Sequence, residues 1–282
     1  MTVHATLLCG AAAGRGLPAP ARNVRRLLRF GPHANVFLHV EDLRRAIGAD
    51  LPEAFLDLLD VAAYVYAADQ AVARGGDTGA DWGAGWRRAL QFAIPVRLPE
   101  LWNSPAVREA LTATLGFLSE DEYHFAFEAG RTGDAFREYK LDGGLAGEVA
   151  EVLLFSGGLD SLAGAAEQAV RSGRKVALVH HRSNPKPVPT VRALWNELAR
   201  RAAGPRPAPV PVRVYKAKGL TRDRAQRARS FLFVSLGAAV AAALGLPRVL
   251  LYENGVVSAN LPLCAQVVGA RASRTTHPRV LA

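Results

Sequence analysis

The stretch EVLLFSGGLDSLAGAAEQAV, Glu151 to Val170, passes from an apolar strand through a glycine turn into a helix with apolar periodicity. Its hexapeptide SGGLDS therefore stands where a strand ends and a helix begins. Unpaired backbone N–H groups and the helix dipole favour an anion at such a place, and Gly157 and Gly158 let the backbone approach phosphate oxygens with no Cβ in the way. Ser156 and Ser161 add hydroxyl donors. The loop suits a polyphosphate. It is not a Walker A loop, because no G-x-x-x-x-G-K-[ST] spacing supplies the lysine that reaches the outer phosphates.

The rhythm around the hexapeptide sets the fold class. EVLLF, KVALVHH, VPVRVY and RVLLYEN read as strands, separated by LAGAAEQAVRSG, TVRALWNELARRAAGP and a long helix expected over TRDRAQRARSFLFVSLGAAVAAALG. Strands alternating with helices imply a parallel sheet with helices on both faces and a ligand at the carboxyl ends of the strands. The glycines of LDGGLAGE, 141–148, mark a divide: residues 1–145 are expected to form an N-terminal α+β extension and 146–282 an α/β nucleotide-type domain. In the first part, PEAFLDLLDVAAYVYAADQAVARGG has the three-and-four spacing of an amphipathic helix, and EYHFAFE alternates as a half-buried strand.

Composition narrows the class. With 282 residues, 50% of them hydrophobic, the chain is long enough for one large or two ordinary cores. The net charge of +10 comes mostly from scattered arginines, so an arginine-rich surface is favoured over a nucleic-acid stripe, and RNVRRLLRF, Arg22–Phe30, is expected as a basic helix with a solvated amphipathic face in preference to a nucleic-acid contact. Cys9 and Cys264 form no disulfide framework, which fits a reducing cytoplasm. The small-residue run ATLLCGAAAG lacks the basic residues that would precede it in a signal peptide, and FLFVSLGAAVAAALGL falls short of the roughly 20 residues that span a bilayer. A second glycine-rich stretch, GAAAGRG at 10–16, is followed by Pro18 and Pro20 where a helix would start, and reads as a plain loop.

The string S-G-G-x-D-S after a strand resembles the signature of the PP-loop, or N-type, ATP pyrophosphatases, whose fold is adenine nucleotide alpha hydrolase-like and whose loop holds the pyrophosphate departing from ATP. RARSFLFVSLGAAVAAALG, LLYENGVVSANLP and RASRTTHP resemble the 7-cyano-7-deazaguanine synthase (QueC) branch of these proteins, and within it the QatC-type variants associated with anti-phage defence. This resemblance implies an ATP-dependent ligase that activates a deazaguanine carboxylate with release of AMP and pyrophosphate. It places Ser156, Gly157, Gly158, Leu159, Asp160 and Ser161 on the ATP phosphates, and His180, His181, Arg182 and Ser183 by the adenosine. Asp160 helps hold Mg²⁺ or caps the helix. Arg229 meets phosphate or acyl-adenylate, or is a surface arginine of the first helical turn. Glu253 and Asn254 read a purine-like edge or form a polar turn, and Arg274, Thr276 and His277 are further substrate contacts, with His277 alternatively an ordinary surface histidine. Such a site acts by proximity and electrostatics and needs no side-chain nucleophile.

Three departures from the family are visible. Two lone cysteines give no structural zinc site, ENGVVSANLP replaces the family's aspartate-rich substrate turn, and the chain stops four residues after Pro278, so it is expected to be a fragment or to be completed by a partner. The defence resemblance implies partner proteins from one operon and leaves free base, protein or nucleic acid open as acceptor. Two alternatives remain beside the synthase: another PP-loop ligase or thiolase, for which Cys264 alone is poor support, and a non-catalytic ATP-binding subunit.

Overall fold

The computed structural model describes residues 3–18, 24–31, 33–74, 86–130, 145, 147–182, 188–223, 226–259 and 274–281. The chain runs β1 (Val3–Cys9), β2 (Val24–Leu28), β3 (Val36–Leu38), α1 (Val40–Ile47), α2 (Glu53–Ala71), β4 (Arg88–Val96), α3 (Pro99–Trp102), α4 (Pro105–Ser119) and β5 (Glu122–Ala129). It continues with β6 (Glu151–Leu154), α5 (Leu159–Ala166), β7 (Val176–Arg182), α6 (Val188–Arg201), β8 (Ala208–Lys216), α7 (Arg229–Ala243), β9 (Val249–Leu250), α8 (Gly255–Ala259) and α9 (Pro278–Leu281). A π-helical turn, Glu167–Arg171, extends α5.

The second sheet has the order β3-β8-β7-β6-β9, with β8, β7, β6 and β9 parallel and β3 antiparallel at the edge. Its parallel strands stand third, second, first and fourth in chain order. That doubly wound arrangement leaves a crevice where the connections diverge, outside the carboxyl ends of β6 and β9. Strand alternation assigns the two faces. Val152, Leu154, Val179, Val210, Val212 and Val214 enter one core with Leu232 and Leu236 of α7, while Leu153, Phe155, Val176 and Leu178 enter another with Ala165, Ala169, Val191 and Leu198. Helices thus cover both faces of an α/β sheet, as the alternating pattern predicts.

The first half departs from the expected α+β mixture. β2, β1, β4 and β5 form an entirely parallel four-stranded sheet, and the stretch RNVRRLLRF expected as a basic helix supplies its edge strand β2, paired in register with β1 and anchored by the buried Leu28. RALQFAIPV of β4 is buried at nearly every position, the continuous apolar run of a strand covered on both faces. The small-residue run near the start is also a buried strand, β1, with Ala5, Leu7 and Cys9 fully enclosed.

The expected divide lies mostly outside the described residues, and the halves share contacts across it. β3 extends the second sheet, and the larger core includes Leu59 and Tyr66 of α2 together with Val214 and Leu236. Two element boundaries also differ from the sequence reading. The long helix starts at Arg229 rather than Thr221, because the backbone N–H groups of Arg222 and Asp223 bond to the Gln70 carbonyl at 2.8 and 3.0 Å instead of to a helical turn. The last strand shrinks to Val249–Leu250, since Asn254 already begins the turn into α8. Among the described residues no helix is long and apolar enough to cross a membrane.

Candidate functional site

The site begins with a tight turn. β6 ends at Leu154, and Gly157 takes φ +82°, where a side chain would be strained and where a Cβ would also lie 3.0 Å from Val191 Cγ2. Gly158 is the N-cap residue of α5. Ser156 Oγ accepts the Gly158 N–H at 3.2 Å, and Ser161 Oγ donates to the Gly158 carbonyl at 3.0 Å, with the two hydroxyl oxygens 3.1 Å apart. The two serines therefore brace the turn while presenting oxygens at its open side.

A cavity of about 460 Å³ opens at the diverging crevice, lined by Leu154, Ser156, Ser161, Gln226, Arg229, Ser230, Phe233, Val234, Leu251, Tyr252, Glu253, Thr275 and Thr276. Its size is that of a small-molecule pocket, and polar side chains from the loop, α7 and the last described segment converge in it beside an apolar wall of Leu154, Phe233, Val234 and Leu251. Five residues singled out in four separate motifs meet here: Ser156 and Ser161, Arg229, Glu253, and Thr276. Arg229 is the first residue of α7, so its guanidinium stands at the positive end of a helix dipole. That is an unfavourable place for a cation alone and a favourable one for a bound anion. Ser230 was not singled out in the sequence; its hydroxyl is buried beside the cavity with no hydrogen-bond partner among the described residues. An unsatisfied buried donor facing a cavity suits a ligand oxygen.

The other predicted residues occupy different positions. Gly157 and Gly158 shape the loop, and Leu159, 81% exposed, projects into solvent. Asp160 is exposed in the first turn of α5, makes no capping hydrogen bond and lies outside the cavity lining. His180 is buried under the loop: its Nδ1–H donates to the Phe155 carbonyl at 2.8 Å, and its ring meets Trp195 edge-on with centroids 5.9 Å apart. Burial holds His180 below the usual histidine range, so it supports the turn as a neutral imidazole. His181 points to the opposite face, where Nε2 bonds the Val214 carbonyl at 2.9 Å and the ring meets Tyr66. Burial pushes His181 down to about 4. Arg182 ends β7 in register with Arg213, and Ser183 lies outside the described residues.

Asn254 has a local task. Its Oδ1 accepts the Val256 N–H at 2.9 Å, capping α8. Arg274 donates to the Phe117 carbonyl at 2.7 Å and to Glu120 at 3.0 Å, and stacks on the Phe117 ring. His277 packs on the same ring, 4.9 Å between centroids. Both residues thus fasten the last described segment to α4, while between them Thr276 faces the cavity and exchanges a 2.9 Å hydrogen bond with Ser258.

Tyr252 shapes the cavity wall. A Cβ on Gly164 would fall 2.1 Å from its ring, so the ring rests directly on the α5 backbone, and Gln168 Nε2 donates to its hydroxyl at 2.8 Å. Of the predicted carboxylates, Glu253 lies in the lining and Asp160 on the exposed first turn of α5. Mg²⁺ bound with phosphates keeps several waters and asks for only one or two carboxylates, of which the cavity lining supplies Glu253 alone. Among the described residues no group of three or more His, Cys, Asp or Glu side chains gathers as a metal site, and Cys264 lies outside them. No family model, curated protein or solved structure matches this chain.

Proposed function

We propose that the cavity binds ATP with its phosphates between the SGGLDS loop and the amino end of α7, and that the chain is a PP-loop adenylating enzyme. One observation carries the reading: Ser156, Ser161 and Arg229, chosen from motifs far apart in sequence, line one cavity at the crevice of a doubly wound sheet. Hydroxyls, helix N-termini and one guanidinium suit a pyrophosphate leaving group, on which negative charge develops as adenylate forms. The synthase resemblance names a deazaguanine carboxylate as the group activated, Mg²⁺ as the companion ion and anti-phage defence as the setting. Glu253 and Tyr252 line the wall that meets that second substrate.

A second reading, an ATP-binding subunit without turnover, is favoured by the exposed Asp160 outside the cavity lining. Incubation with Mg-ATP, 7-carboxy-7-deazaguanine and ammonium separates the two. Substrate-dependent AMP and pyrophosphate that disappear in Asp160→Ala support the enzyme; bound ATP with no AMP supports the subunit. ADP would contradict both, since it signals cleavage at a different phosphate.

A further inference from the structure

The amino end of α7 has no cap of its own. Its N-cap residue is Ala228, fully buried and without a side-chain acceptor. The acceptor comes from the first half of the chain: Asp69 Oδ2, on α2, takes the Ala228 N–H at 3.0 Å. Asp69 is 1% exposed and its other oxygen receives Arg88 Nη2 at 2.6 Å. Arg88, with no exposed surface, also donates to the Asp69 and Val72 carbonyls at 2.9 and 2.7 Å and to Asp121 at 2.6 Å. Asp121 in turn holds Arg74 through two bonds of 2.7 and 2.9 Å, and the Arg74 N–H meets Asp223 at 3.2 Å. With the Gln70 carbonyl accepting from Arg222 and Asp223, the end of α2 grips the chain at both ends of the stretch leading into α7. Gln226, Arg229 and Ser230, within or next to that stretch, line the cavity.

We propose that Asp69 is a positioning residue: through the Ala228 N–H it fixes the amino end of α7 and thereby holds Arg229 and Ser230 at the cavity wall. Its effect on ligand affinity rests on the phosphate reading above. Removing the Asp69 oxygen leaves a buried donor unsatisfied, so the first turn of α7 relaxes while the rest of the helix, packed by Leu236, Ala239 and Val240, stays in place.

The test uses the full chain as wild type, Asp69→Asn, which retains one acceptor oxygen, and Asp69→Ala. Amide hydrogen exchange across residues 226–232 is expected to accelerate about tenfold or more in Asp69→Ala, less in Asp69→Asn, with 236–243 still protected. Titration with Mg-ATP is expected to show about tenfold weaker binding in Asp69→Ala but under about twofold further loss when it is added to Arg229→Ala. Uniform loosening of all α7, unchanged exchange at 226–232, or full additivity with Arg229→Ala overturns the proposal. If Asp69→Ala does not fold, Asp69→Asn carries the same comparisons. If the wild type binds no ATP, the phosphate reading falls, and the exchange pattern alone decides whether Asp69 positions α7.

Discussion

The two sheets of the molecule use one backbone device to opposite ends. In each, the first parallel strand lies between later ones and leaves through a glycine turn at its carboxyl end. In the second sheet the turn carries Ser156 and Ser161 to a cavity. In the first sheet the turn after β1 is already filled. The N–H groups of Ala13, Gly14 and Arg15 converge on the Glu128 carboxylate at 3.0, 2.8 and 2.9 Å. Beside it, a Cβ on Gly10 would lie 3.0 Å from the Pro95 ring and 3.4 Å from the Tyr64 hydroxyl. Converging N–H groups form an anion cradle after β1, and the chain fills it with its own carboxylate; after β6 the serines brace the turn and its open side faces the cavity in which the phosphates are proposed to bind.

The largest way to break this comparison is to cut the link between the halves. Arg88→Leu leaves two buried carboxylates, Asp69 and Asp121, with Arg74 alone between them, and is expected to destabilise the protein by about 3–5 kcal/mol, read by denaturant unfolding. Acid probes the second sheet from its other face. His181 is held near 4 by burial, opposed by its bond to the Val214 carbonyl and reinforced by the Arg229 charge, against an ordinary value of 6.5. Its folded pKa is depressed, so its contribution is complete above pH 6.5 and is lost as pH falls toward 4. The loss is about 3 kcal/mol, and His181→Gln should flatten that part of the stability profile. Gly164→Ala drives a methyl into the Tyr252 ring; a cost of about 1–3 kcal/mol with weakened nucleotide binding is expected, measured by melting and titration. The smallest effect sharpens the contrast. Glu128→Gln keeps one acceptor oxygen for the 13–15 cradle and is expected to cost about 1 kcal/mol with no change in ATP affinity.

The parts of the fold governed by local pattern were legible in the sequence. The strand-turn-helix around Ser156 and the alternation after it follow from apolar period and glycine position, and they locate the crevice. The parallel first sheet was not legible as such, because β4 is apolar on both faces and short of alternation, and β1 looks like a small-residue run. Within the site, Ser230 escaped notice because a serine in a helix carries no signal until its hydroxyl is seen buried and alone. Asp69 escaped because its partner Ala228 is 159 residues away. Arg274 and His277 read as substrate contacts through the family resemblance of RASRTTHP, yet the Phe117 ring of α4, unseen from their own stretch, claims both. Likewise GAAAGRG reads as a plain loop, and only Glu128, across the sheet, shows what its N–H groups hold.

The most direct measurement is calorimetric titration of the full chain with Mg-ATP, beside Ser156→Ala, Arg229→Ala and Glu128→Gln. Saturable one-to-one binding in the wild type, weakened about tenfold by each of the first two variants and unchanged by the third, is the predicted result. No saturable binding, or binding that ignores Ser156 and Arg229, would contradict the assignment of the second sheet's crevice as the nucleotide site.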